Sequence, residues 1–171
     1  MLFPTSLLPC SENGPDVKIP WAGEFQRQSA RYLPALDWEW LPAQAWQESA
    51  WKPRAISHAG ARGLMQTMPR THAEIGQQLG LNCSPYSAKC SILYGAYYDG
   101  RMARIWSGRG RSTNEIIPLM LGSYNCGPGC VINAQRMAND ARDWIDIKPF
   151  LSRETREYPF KIRQKYFELT E

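Results

Sequence analysis

Residues 46–71 read WQESAWKPRAISHAGARGLMQTMPRT, and the odd residue in that stretch is the glutamate near its start. Glu48 stands between Trp46 and Trp51, is followed by the hydroxyl of Ser49, and precedes a helix stop at Pro53. A glutamate on a solvated helix face usually has other charges around it at helical spacing. Here the padding is missing, because Glu74 is the one acid between Glu48 and Asp99. A carboxyl among aromatic rings with few competing acids is expected to hold its proton to higher pH, which suits it to proton transfer.

The residues after Glu48 supply the rest of a ligand-binding surface. Ser57 and Gln66 offer neutral hydrogen-bonding groups, and Met68 offers soft apolar contact. Met65 suits such contact and core packing equally, while Gly60 and Gly63 let the backbone turn and approach a ligand closely. Further along, Tyr124 and Asn125 precede the turn-forming Gly127-Pro128-Gly129, and Glu154, Arg156 and Tyr158 form a polar group near the C-terminus. A Glu and an Arg two apart there also fit a structural ion pair.

At 171 residues the chain is one domain's length, enough to bury a core without metals or crosslinks. Its 7 Trp and 8 Tyr exceed the needs of such a core, and surplus rings of this kind often line grooves for flat or amphipathic ligands such as sugars. A net charge of +4 suits an anionic partner without choosing among nucleic acid, membrane surface and cell wall. The nearest approach to a basic stripe is Arg101, Arg104, Arg109 and Arg111, which reads as a solvated loop. No apolar run reaches membrane-spanning length, so stable membrane insertion is not expected.

Residues 1–14, MLFPTSLLPCSENG, resemble an export signal ending in a lipid-modified Cys10, but the start lacks basic residues and Pro4 breaks the apolar run. Either export takes another route or the sequence begins after processing. Cys83 with Cys90, and Cys126 with Cys130, make two short-range pairs whose spacing departs from zinc knuckles, so no metal is expected. At least one pair is expected to be a disulfide.

Helix punctuation recurs along the chain and sustained strand alternation does not, which predicts an all-α domain. Helices are expected over 22–33, over 37–49 with Asp37 as N-cap, from a capping box at 71–74 to Gly80, over 91–106, from a second capping box at 112–115 toward Tyr124, and over 154–169. Pro42 either falls in the first turn of its helix or kinks it, and Pro159 is expected to interrupt the last helix early. Gly95 and Gly100 are expected to let neighbouring elements come close. Without repeats or linkers the organisation reads as an N-terminal extension, 1–20, and one compact helical domain, 21–171.

Five segments together resemble the soluble lytic transglycosylases with a goose-type lysozyme-like fold. Residues 48–57 match an ES-aromatic-P-A-S signature, and 60–71 match GA-x-GLMQ-x-MP-x-T almost letter for letter. Residues 91–98 are similar to the N-I-x-x-G-x-x-Y-L helix, 124–129 to the YN-A-GPG turn, and 154–158 to ETR-x-Y. The order and spacing are kept over roughly 37–162. The resemblance implies that 21–171 is a single compact helical catalytic domain whose Glu48 protonates the bond between N-acetylmuramic acid and N-acetylglucosamine. Glu48 would then take the proton of the muramoyl 6-hydroxyl as a 1,6-anhydro ring closes. It implies substrate contacts by Ser57, Gln66, Met68, Tyr124, Asn125, Glu154 and Tyr158, with no cofactor and no metal.

Peptidoglycan glycan strands are the implied partner, the implied place of action is the periplasm or cell wall, and a monomer is expected. The small size suits a phage or mobile-element lysin, or a domain opening the wall for a secretion apparatus. Departures from the pattern are Cys126 in place of alanine, Pro42 and Pro118 within helices, and Pro159 in place of a β-branched residue. Three competing readings remain: a goose-type hydrolase on the same fold, a non-catalytic glycan-binding component, and nucleic-acid binding through the arginines at 101–111.

Overall fold

The structure, a computed structural model, describes residues 18–171 apart from Arg109. The expectations for Cys10 and the signal-like start lie outside the described residues. Eight α-helices run in order through these residues: α1 Ala22–Tyr32, α2 Trp40–Ser49, α3 Pro69–Leu79, α4 Ala88–Trp106, α5 Thr113–Cys126, α6 Pro128–Met137, α7 Trp144–Ile147 and α8 Arg153–Thr170. A 3₁₀ turn, Lys148–Phe150, joins the last two, and the extended pairing among the described residues is limited to isolated bridges of Arg62 with Ile56 and Thr67.

The helices pack as two cores that share α5. One collects Phe25, Leu41, Met65, Ile92, Met102 and Leu121 with Tyr158 and Ile162 of α8. The other places Leu119 of α5 against Trp106, Val131, Ile147 and Leu151, and the Trp106 indole donates to Ser123 Oγ at 2.8 Å so that its polar edge is satisfied. Each fully buried Leu, Ile or Met contributes about 1.5–3 kcal/mol, which makes these clusters the main source of stability. Met65 is fully buried, so packing claims it and the ligand does not.

Gly95 and Gly100 of α4 sit where close approach was expected. A β-carbon would lie 2.7 Å from Met65 Cγ in one case and 2.8 Å from the Tyr32 carbonyl oxygen in the other. The 112–115 capping box forms as read, with Glu115 accepting from the Ser112 amide at 2.7 Å.

Other local expectations need correction. The helix expected to open on the box at 71–74 begins earlier, at Pro69, whose fixed φ suits the first helical position. Glu74 is left free to pair with Arg101 at 2.8 Å. Asp37 is not an N-cap: α2 begins at Trp40, which puts Pro42 in its first turn, and the Asp37 carboxylate accepts from the Tyr166 hydroxyl at 2.7 Å. Pro159 does not end the last helix, because α8 is continuous around it, and α5 likewise runs through Pro118. The lost hydrogen bonds are offset by packing, since Pro159 is buried. Helices α6 and α7 were not foreseen. Gly127, at φ 88°, turns the chain only far enough to start α6 at Pro128.

Both cysteine pairs are disulfides. Cys83–Cys90 ties the loop after α3 to the first turn of α4, and Cys126–Cys130 staples α5 to α6 across Gly127.

Candidate active site

Glu48 lies in the last turn of α2, and the chain leaves that helix through two left-handed residues, Ala50 and Trp51. The loop that follows, residues 52–68, is held by hydrogen bonds from three helices. Ser49 of α2 donates its hydroxyl to the Leu64 carbonyl at 2.8 Å, Ser91 of α4 accepts from the Met65 amide at 2.9 Å, and Tyr124 of α5 donates to the Met65 carbonyl at 2.7 Å. Gly63 is required here. Its φ is +81°, and a β-carbon would lie 1.9 Å from the Pro85 carbonyl oxygen.

Between this loop, α5 and the start of α8 opens a cleft of about 560 Å³. Glu48, Ser57, Gln66, Met68, Tyr124, Asn125 and Glu154 all line it, so seven of the eight residues singled out in the sequence meet at one cavity. The eighth, Tyr158, stands behind the wall. It is buried, and its hydroxyl donates to Glu48 Oε1. The cleft also takes in His58, Thr71 and Tyr98, which the sequence reading did not single out. Tyr98 and Thr71 could have been found, since they are the tyrosine of the 91–98 helix signature and the closing threonine of the 60–71 motif, whereas His58 carries no signal beyond lying between the two loop motifs.

Several of these side chains are already engaged. The Gln66 amide nitrogen donates to the Gly63 carbonyl at 2.7 Å and to that of Ala55 at 3.2 Å, which braces the loop and leaves its carbonyl oxygen as the group for a ligand. The Ser57 hydroxyl oxygen accepts from the Ala61 amide at 3.0 Å and keeps its own proton to give. Asn125 donates to Glu154 at 3.3 Å and accepts from Thr155 at 2.7 Å, and Tyr124 meets Tyr98 edge to face at 5.3 Å. Arg156 does not pair with Glu154. It faces a different cavity, while the neighbouring Arg153 pairs with Glu157 at 2.6 Å.

Burial pushes the Glu48 carboxyl from 4.5 up to about 7, the Tyr158 hydrogen bond opposes the rise, and the charge of Glu154 adds to it. The expected cause was the flanking tryptophans, and that needs correction. Trp46 and Trp51 pack edge to face on each other beneath Lys165 and lie outside the cleft. Two residues along a helix turn the side chain by about 200°, so Trp46 points away from Glu48.

One turn below Glu48 on α2, Gln44 donates to Asp99 at 3.4 Å. Asp99 is fully buried, and desolvation holds its carboxyl well above the usual range, with Glu48 adding to the effect. It occupies the place where the 91–98 signature continues with leucine. Among the described residues no group of three or more His, Cys, Asp or Glu side chains is arranged to hold a metal ion.

Residues 26–147 match the sequence model of the transglycosylase SLT domain. The chain belongs to that family. It is 34% identical over 161 residues to membrane-bound lytic murein transglycosylase F of Vibrio parahaemolyticus, and 32% identical over 160 residues to the protein of the same name from Shewanella pealeana. Each alignment covers 91% of this chain but only 27% and 30% of those proteins, so the chain spans under a third of the relatives' length. Among solved structures, the 70 kDa soluble lytic transglycosylase of Escherichia coli superposes with a TM-score of 0.74 at 23% identity, covering 88% of this chain and 24% of that one. An inactive glutamate-to-glutamine mutant of lytic transglycosylase Slt from Pseudomonas aeruginosa gives 0.71 at 25% identity over the same shares. The all-α, lysozyme-like transglycosylase fold expected from the five motifs is therefore the fold found. The family match stops before α8, so Glu154 and Tyr158 join the site through the fold and lie outside the matched segment.

Proposed function

We propose that residues 21–171 form the catalytic unit of a peptidoglycan lytic transglycosylase, with Glu48 as acid and then base. The observation that carries this reading is a carboxyl at the floor of a glycan-sized cleft whose proton is held up to about pH 7. Near neutral pH such a group is part protonated and part ionised, which matches a reaction that needs it in both forms. Protonated Glu48 gives its proton to the oxygen joining N-acetylmuramic acid to N-acetylglucosamine, and the bond from that oxygen to the muramoyl C1 breaks. The carbonyl oxygen of the substrate's own N-acetyl group supports the positive charge left at C1. The Glu48 carboxylate then takes the proton of the 6-hydroxyl while O6 bonds to C1, which closes the 1,6-anhydro ring without consuming water.

In this scheme the Tyr158 hydroxyl orients Glu48 and stabilises it between the two steps. Ser57 donates to the N-acetyl group, the Gln66 carbonyl and Asn125 meet sugar hydroxyls, and Met68 and Tyr124 give the apolar floor. Action on the cell wall as a monomer follows the same reading. Among the described residues no helix is long and apolar enough to cross a membrane. A phage lysin and a secretion-associated enzyme would both suit a catalytic unit of this size.

Glu154 favours one other reading. A second carboxylate in the same cleft is what a hydrolase uses to activate water. Mass analysis of digested wall separates the two. Anhydro ends, one water lighter than reducing ends, are expected from the wild type, and Glu48→Gln should form neither. Reducing ends from the wild type would make the enzyme a hydrolase.

A further inference from the structure

A second cavity of about 530 Å³, nearly the size of the catalytic cleft, lies between α2, α5 and α8. Neighbouring residues of α8 serve the two places: Tyr158 reaches Glu48, while Pro159 lines this cavity. Its charge is one-sided. Lys148, Arg156 and Arg163 line it against a single carboxylate, Asp37, which already accepts the Tyr166 hydroxyl. The other cations of α8 behave differently, since Arg153, Lys161 and Lys165 each pair with a glutamate on the same helix. Among the described residues none of the three cavity cations has a carboxylate partner, although Arg163 also lies 5.4 Å from the Phe167 ring centre.

The walls carry a second, independent signal. Two departures from the family pattern, Pro118 of α5 and Pro159 of α8, both line this cavity. A proline in a helix interior costs about 3 kcal/mol and withdraws the donor from the carbonyl four residues back. For Pro118 that carbonyl belongs to Asn114, which itself lines the cavity. Opposite stand flat apolar surfaces, with Trp40 stacked on Tyr166 at 4.3 Å and Trp144 alongside. The cavity therefore offers cations for carboxylates and ring faces for alkyl side chains.

We propose that this cavity is a second binding site, for a short carboxylate-bearing peptide, and that its occupant is the stem peptide of the wall polymer. The proposal rests on the reading of the cleft as a peptidoglycan site. A peptide carrying free carboxylates at both its side chains and its end complements three cations better than a neutral glycan does. Engaging a stem peptide on the far side of α8 would hold a strand, or its cross-linked neighbour, while Glu48 cuts.

The test uses the full chain with Glu48→Gln to block turnover, a synthetic stem tetrapeptide, and a peptide-free N-acetylglucosamine hexamer. Calorimetry should find peptide binding that weakens with salt, and Arg156→Glu with Arg163→Glu should weaken it about tenfold or more, because the pair turns two attractions for a carboxylate into two repulsions. Hexamer binding should be unchanged by that pair, cleavage of peptide-free glycan should be unchanged when the pair is placed in the chain with Glu48 intact, and the hexamer should not displace the peptide. The proposal is overturned if peptide affinity stays within about twofold of the parent in the double variant, if the hexamer competes, or if the parent shows no binding at about 1 mM. Product analysis on the wild type reads the cleft separately. Anhydro ends together with a failed peptide titration would sink the second site alone, whereas their absence would sink the catalytic reading.

Discussion

Replacing Glu48 by glutamine should make the protein more stable at alkaline pH while removing its chemistry. The carboxyl titrates at about 7 in the folded chain against 4.5 as the ordinary value, and desolvation is the leading cause. Between those two pH values the native state binds more protons than the unfolded chain, so unfolding free energy falls as pH rises and the loss is complete above about 7. At about 1.4 kcal/mol per unit the whole shift amounts to about 3 kcal/mol, and the partial exposure of Glu48 to the cleft trims that toward 2. Glutamine has nearly the same shape, can still accept from Tyr158 and does not titrate. The variant should therefore match the wild type below about pH 4.5 and exceed it by about 2–3 kcal/mol at pH 8. Urea unfolding of both proteins at intervals from pH 4 to 8 reads this directly, because other titrating groups cancel in the difference. A stability difference that stays constant across the range would refute the idea that Glu48 is desolvated.

Tyr158→Phe removes the hydrogen bond that opposes the rise, so the alkaline limb of the wall-lysis pH profile should move up by about one unit or more, as loss of a bond to a charged group implies; an unmoved limb contradicts the contact. Ser49→Ala strips the hydroxyl that pins the Leu64 carbonyl and accepts from the Lys52 amide, at a cost of about 1–3 kcal/mol in thermal or urea unfolding, whereas a purely catalytic Ser49 would leave stability untouched. Reduction of Cys126–Cys130, isolated by a Cys83→Ser, Cys90→Ser background, should cost about 2 kcal/mol for so short a loop, measured as a lower unfolding midpoint with and without reductant.

The sequence was most legible where a residue's job is local. The box at 112–115 needs four consecutive residues to announce itself, and the loop motif at 60–71 carries its own glycines, so both were readable and both are found. Gathering seven of eight expected site residues at one cleft came from the family signatures, whose spacing encodes a fold that periodicity alone does not reveal. What failed depended on tertiary packing. Pro159 reads as a helix breaker until the core that buries it is known, and Trp46 reads as a neighbour of Glu48 until the helix turns it away. Asp99 gives no warning, because only the packing of α2 on α4 shows that its carboxyl is sealed in.

The contact between Glu48 and Tyr158 spans 110 residues of chain. A polypeptide still emerging from the ribosome, or one clipped ahead of its last helix, has the glutamate but lacks the phenol behind it and the wall that keeps water out. The proton-transfer site is thus complete only once α8 has packed against α2, and a fragment without that helix should hold Glu48 in an open, hydrated setting.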